Sequence, residues 1–251
     1  MTDLAGERGA LSDLTAGGVH TWQLPRDASG PPLARSLLAR TMTLLGLSRG
    51  LIDDSVLAVS ESATNAFQHA DSTGPYGPLA PPELWVWART RPMPELVVSV
   101  FDADRSHLPQ RAHAQPLDEH GRGICILNAV TAAWGCRPSR SRLTTPAARG
   151  KAIWFCVPLP HTWAAQNHTI SPDYAAGELL LAVAARGIEG IRRNDGNGVT
   201  LIEYTGLNVW VEPRSFSWLD HSGTRVCHPL IDLHEATDSL IHHLETRPQL
   251  M

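Results

Sequence analysis

Apolar residues along this chain recur at two spacings, close to 3.6 in some stretches and close to 2 in others, and the switches mark the elements. Residues 1–17 are polar and Gly/Ala-rich and predict a disordered N-terminal segment; Val19–Leu24 then predicts a short strand. Pro31-Pro32 opens a helix whose apolar residues are Leu33, Leu37, Leu38, Leu44 and Leu45, and Gly46 ends it. Ser48 can cap the next helix, which runs to about His69. A Pro/Gly-rich loop follows, then two apolar runs that read as strands, Leu84–Ala88 and Leu96–Phe101, joined by a Pro92/Pro94 turn that suits an antiparallel hairpin. Residues 103–120 show no apolar period and read as a long loop, a feature that is often functional in a compact domain. Gly121-Arg122-Gly123 opens a helix over 124–133, Trp134–Arg137 reads as a strand, 138–149 as a basic loop, and Ile153–Val157 as a final strand stopped by Pro158 and Pro160.

A second pattern starts after a linker at 161–171. It predicts a helix over Tyr174–Ala185, strands at Ile188–Arg192, Val199–Thr205, Leu207–Val211 and Phe216–Leu219, and a closing helix over Asp232–Leu244. Asn194–Gly198 is a strong turn signal between the first two strands. The division is therefore a first domain over 18–160 and a small α+β module over 172–251, near the lower end of usual domain size.

One stretch of the second helix carries chemistry. In Ser60–Ala70, Glu61 and Asn65 are four apart and share one face of a helix whose other residues are apolar or small. A carboxylate and a carboxamide are costly to bury unpaired, so the helix presents them to something polar. Hydrated Mg²⁺ with nucleotide phosphates suits them, because Mg²⁺ takes oxygen ligands, keeps waters and uses few protein groups. Asp102, at a strand end, can accept a hydrogen bond from an exocyclic amine such as that of adenine. Gly121 and Gly123 at a helix start let backbone amides approach phosphate, Arg122 can add a bidentate contact, and the loop before them can fold over a nucleotide as a lid.

Composition narrows the classes. The chain has 251 residues, 43 % hydrophobic, enough for a substantial core, and its 21 basic and 25 acidic residues give a net charge of −4, which argues against bulk nucleic-acid or anionic-membrane binding. No run approaches the ~18 apolar residues of a membrane span, and the N-terminus lacks a basic-then-apolar signal pattern. The four cysteines have no C-x-x-C spacing, so buried free thiols in a reducing cytoplasm are expected. The twelve histidines form neither H-E-x-x-H nor a Cys/His cluster.

The order and spacing of "AVSESATNAFQHA", "LVVSVFDAD", "EHGRGICILNAVTAAWGCRP" and "GKAIWFCVPLP" resemble the Asn box, two glycine boxes and closing strand of the GHKL, or Bergerat-fold, ATPases. The closest resemblance is to bacterial anti-sigma-factor serine/threonine kinases of the actinobacterial branch, and it covers about residues 18–160. It implies a two-layer α/β sandwich with a mixed, mostly antiparallel sheet and helices on one face. It also implies ATP and Mg²⁺ as cofactors: Asn65 coordinating the metal, Glu61 as the general base, Asp102 reading the adenine amine, and Gly121, Arg122 and Gly123 cradling phosphates. The first glycine box usually continues Asp-x-Gly-x-Gly; here Asp102 is followed by Ala103, Asp104, Arg105 and Ser106. Many relatives carry Thr after the Gly-Lys pair, where a hydroxyl can support the adenine site; here the residue is Ala152. The module at 172–251 lies outside this family's core.

Each residue also has an ordinary structural reading. Glu61 and Asn65 could form a solvated stripe, Asp102 could cap a turn, Gly121 and Gly123 could be a simple loop-to-helix junction, Arg122 could be a surface arginine, and Lys151 reads as a strand-edge charge. At the level of function, the resemblance implies a cytoplasmic regulator that binds a sigma factor and phosphorylates an anti-anti-sigma partner. The alternative is a degenerate GHKL domain acting as a non-catalytic interaction module in transcription regulation. A histidine-kinase catalytic domain is disfavoured because no dimerising helical hairpin with an acceptor histidine precedes the Asn box. Relatives often dimerise through their sheets, which raises a homodimer without requiring one.

Overall fold

The computed structural model describes residues 13–68, 73–74, 77–78, 80–105, 127, 131–160, 163, 170–194 and 198–246. The first unit contains β1 (Val19–Gln23), α1 (Gly30–Leu44), α2 (Arg49–Gln68), a two-residue ladder of β2 (Thr73–Gly74) with β3 (Gly77–Pro78), β4 (Glu83–Arg89), β5 (Glu95–Asp102), β6 (Ala133–Arg140) and β7 (Arg149–Pro158). Five strands form one sheet in the order β1-β4-β5-β7-β6. Every ladder in it is antiparallel, so the mixed sheet expected from the resemblance has no parallel pair among the described residues. Strand β7 lies inside the sheet, between β5 and β6, and both β6 and β7 run longer than their apolar cores suggest.

Helices α1 and α2 cover one face. Their buried residues, Ala34, Leu38 and Met42 from α1 and Ala58, Val59, Ala63 and Ala66 from α2, pack on Leu84, Val86, Leu96, Val98, Val100, Ile153, Phe155 and Val157. Small residues on α2 let it approach the sheet closely. Helix α1 ends where Gly46 takes φ +70° and the N–H of Leu47 bonds back to the Met42 carbonyl, a left-handed cap that glycine adopts without steric cost. Leu14 is 1 % exposed, seated by a turn in which Gly17 and Gly18 donate to the Leu14 and Asp13 carbonyls. Residues 13–17 of the segment expected to be disordered are ordered, and residues 1–12 lie outside the described residues.

The second unit runs α3 (Pro172–Ala184), then β8 (Gly190–Asn194), β9 (Thr200–Tyr204), β10 (Leu207–Val211), β11 (Ser215–Leu219) and β12 (Arg225–Pro229), a short 3₁₀ turn (Leu230–Asp232) and α4 (Leu233–Thr246). The five strands form an antiparallel meander in sequence order. Ser171 caps α3 by accepting the Tyr174 N–H at 3.2 Å. Strand β12 is absent from the sequence reading because Arg-Val-Cys-His-Pro has no apolar alternation.

Alternation along β4 places Leu84, Val86 and Ala88 toward the helices and Trp85 and Trp87 on the opposite face, where both are fully buried. A buried tryptophan removes roughly 150–250 Å² from water, on the order of 4–6 kcal/mol each, so this face cannot be left open. Helix α4 covers it. The Trp87 indole donates to Glu235 at 3.0 Å, Arg89 pairs with Glu235 at 3.3 Å, and the Thr90 N–H donates to Asp232 at 2.9 Å. Helix α4 also packs on the second unit through Ala236 and Leu240. It lies between the two sheets and is buried on most of its circumference.

Candidate functional site

The buried residues of α2 are Ser55, Ala58, Val59, Ser62, Ala63 and Ala66, one stripe along the helix. Glu61 and Asn65 lie together on its flank, both half-buried. Neither makes a hydrogen bond or ion pair among the described residues, so their oxygens are available to a ligand. The adjacent Ser60 hydroxyl accepts from Arg35 of α1 at 2.8 Å, which fixes the rotation of α2 against its neighbour.

Asp102 and Lys151 are direct partners in the β5–β7 ladder. Both belong to the strand positions that face α1 and α2, since Val98 and Val100, and Ile153 and Phe155, share those sides. The Lys151 ammonium donates to the Asp102 carboxylate at 2.6 Å and also to the Asp104 carbonyl. The other Asp102 oxygen accepts the Asp104 N–H at 2.9 Å. Asp102 is 5 % exposed and Lys151 2 %. A second lone pair remains on each carboxylate oxygen, so Asp102 can still accept a donor while Lys151 holds its orientation and balances its charge. Gly150 permits the close approach of these strand ends: a Cβ there would sit 2.2 Å from the Asp102 carbonyl oxygen.

Two expectations change. Lys151 is not a strand-edge charge: β7 is an interior strand, and Lys151 is the buried counter-ion of Asp102. Ala152 points to the opposite face, among Trp85, Phe101 and Cys156, where a threonine hydroxyl could not reach the side that holds Glu61, Asn65 and Asp102. The turn-capping reading of Asp102 is realised in its bond to the Asp104 N–H. Gly121, Arg122 and Gly123 lie outside the described residues, as do His69 and most of the helix expected over 124–133; Leu127 is helical, buried in the core, and accepts the Thr131 N–H.

Sequence reasoning missed a second set of charges. Asp238 of α4 is fully buried and contacts Arg137, Arg186 (3.2 Å) and Arg142 (3.6 Å). Burial alone would raise its carboxyl, but these three guanidiniums outweigh burial and hold it at about 2. Arg186, fully buried under the same cluster, is pushed down to about 9, chiefly by burial and by Arg142. Glu83 accepts from the Trp85 indole at 2.8 Å, from the Arg142 N–H at 2.9 Å and from the Ser141 hydroxyl. Glu245, in the last turn of α4, is held by Arg140, Arg149 and Arg105. The available signal was Glu235, Asp238 and Glu245 along the closing helix, opposite arginines clustered between 137 and 149.

Among the described residues no group of three His, Cys, Asp or Glu side chains could hold a metal, and no helix is long and apolar enough to cross a membrane. Burial pushes the Cys136 and Cys156 thiols up to about 11 and about 12, so both are inert, whereas Cys227 is exposed rather than buried as expected. A cavity of about 570 Å³ lies between residues 13–19 and α3, and shares no residue with the Glu61/Asn65/Asp102 face.

Residues 25–144 match the family model of the histidine kinase-like ATPase domain, a span that takes in Glu61, Asn65 and Asp102. The two-layer arrangement of helices on an antiparallel sheet is consistent with the GHKL ATPase fold, and the match over residues 25–144 supports an ATP-binding protein of the GHKL class. No curated protein matches the chain.

Proposed function

We propose that this protein is a cytoplasmic regulator that binds ATP with Mg²⁺, captures a sigma factor, and phosphorylates a serine of an anti-anti-sigma partner. The observation that carries the reading is the pair Glu61 and Asn65, unpartnered among the described residues on the flank of α2, on the helix side of the sheet toward which the fixed Asp102 carboxylate also faces. Free oxygens, with no third metal-ligating side chain among the described residues, suit an ion held mainly by phosphates and water. Asn65 would hold Mg²⁺, which when bound neutralises charge on the transferring phosphoryl group. Asp102 accepts the adenine amine in an orientation set by Lys151 and Asp104. Glu61 takes the proton of the attacking serine hydroxyl as general base. Gly121, Arg122 and Gly123 are assigned to the phosphates from the sequence resemblance alone.

A second reading has one observation in its favour. Asp102 is already bonded on both oxygens and nearly buried, which suits a degenerate domain that docks regulators without phosphoryl transfer. Titration calorimetry with ATP, with and without Mg²⁺, tests the first reading: Mg²⁺-dependent binding lost in Asn65→Ala, and phosphoryl transfer to a serine partner lost in Glu61→Ala, are the expected results. No ATP binding at millimolar concentration would overturn it, and partner capture that survives Glu61→Ala without any phosphoryl transfer would establish the second.

A further inference from the structure

Glu245 stands in the last turn of α4, yet its side chain is 2 % exposed and its carboxylate gathers the two strand ends that carry Asp102 and Lys151. Arg105, three residues beyond Asp102, contacts its Oε2. Arg149, two residues before Lys151, reaches the same oxygen from Nη2 at 2.8 Å and from Nε at 3.0 Å. Arg140 of β6 contacts Oε1 at 2.5 Å. Arg105 closes the ring by donating from Nε to the Gly150 carbonyl at 2.9 Å, beside the closest approach of β5 to β7. Without Glu245, three guanidiniums would face one another at this corner, and like charges at short range push apart. The strand ends that would separate are those that set the Lys151–Asp102 contact and the Asp104 N–H bond to Asp102.

We propose that Glu245 is a positioning residue for the Asp102–Lys151 pair, through which docking of the C-terminal module and nucleotide binding are coupled. The coupling to nucleotide rests on the ATP-binding reading; the positioning does not. By linkage, a module that favours the ordered pair tightens nucleotide, and nucleotide in turn tightens the module. Asp238 supplies the control: it anchors the same helix, but its arginines Arg137, Arg142 and Arg186 do not flank Asp102 or Lys151 in the chain.

The test uses the full chain with Glu245→Gln, Glu245→Asp and Asp238→Asn. Two quantities are measured: hydrogen exchange of the Asp104 amide without nucleotide, and ATP·Mg²⁺ affinity by calorimetry. Glu245→Gln is expected to speed Asp104 exchange about tenfold and weaken ATP about tenfold, with β9 and β10 amides unchanged; Glu245→Asp should fall between it and wild type. Unchanged Asp104 exchange in Glu245→Gln overturns the positioning role whatever ATP does. Equal loss of ATP affinity in Asp238→Asn overturns it too, since general loosening of α4 would then suffice. Faster Asp104 exchange in a protein that never binds ATP supports the positioning and sinks the ATP-binding reading instead.

Discussion

Replacing Lys151 by methionine keeps most of the side-chain volume and removes one charge from the interior. Asp102, 5 % exposed, then loses the ammonium at 2.6 Å, and the Asp104 carbonyl loses its donor. Breaking a buried pair from one side costs about 3–5 kcal/mol. The Asp104 N–H still reaches Asp102, which places the expected loss near the low end, about 3 kcal/mol. With a urea slope of about 3 kcal/mol per molar for a chain of this size, the midpoint should fall by about 1 M, read by tryptophan fluorescence. Asp102→Asn in the same background removes the stranded charge while keeping an oxygen for the Asp104 N–H. The double variant should therefore recover part of the loss, with a coupling of about 2 kcal/mol in the double-mutant cycle. Strict additivity, to within about 0.5 kcal/mol, would show that the two groups do not form one buried pair and would remove the stated reason for Asp102's fixed orientation.

Two further outcomes concern pH. Burial raises Asp232 to about 6 against the opposing bonds from Thr90, so the folded state holds this proton more tightly than the unfolded chain; its contribution is present below pH 4 and lost as pH rises through about 6. Asp232→Asn should gain about 3 kcal/mol relative to wild type between pH 4 and pH 8, and parallel stability curves would refute the assignment. Burial and Arg142 push His234 down to about 3, so the folded state rejects a proton that the unfolded chain accepts below about 6.5. Stability should be whole above pH 6.5 and fall by up to about 2 kcal/mol by pH 5; thermal melts of His234→Gln should lack that part of the acid arm, and an unchanged arm would assign it elsewhere.

The helix side of the first unit was legible because its determinants are local. The 3.6 spacing on α2 fixes which residues share Glu61's flank, and the alternation in Leu96–Phe101 fixes which way Asp102 faces. The face toward α4 was not, because its determinants are distant in sequence. Trp85 and Trp87 lie in a run that reads as a strand, but nothing near them says that α4 would supply the cover. Lys151 misled for the same reason: whether β7 is an edge or an interior strand depends on the crossover that carries β6 to the outside. Ala152 shows how face matters as well as position. One residue from the buried pair, it points into the other core, so a change there acts on packing under α4 and not on the ligand side.

The contact between the two units divides its work between apolar area and charge. Trp85, Trp87 and Phe101 give the interface its strength, since burying such rings is favourable in many relative positions. Buried ion pairs add little net stability against hydrophobic replacements of the same shape, but a misplaced one is costly. Glu235, Asp238 and Glu245 recur along α4 and meet Arg89, the Arg137/Arg142/Arg186 group and the Arg105/Arg140/Arg149 group in turn. A slip of α4 by one turn, about 5.4 Å, would leave each carboxylate facing the wrong partner. Several kcal/mol of uncompensated charge then separates the slipped arrangement from the observed one. The charges thus fix the register of a helix that its tryptophan contacts alone would let slide, and that register brings Glu245 to the strand ends beside Asp102.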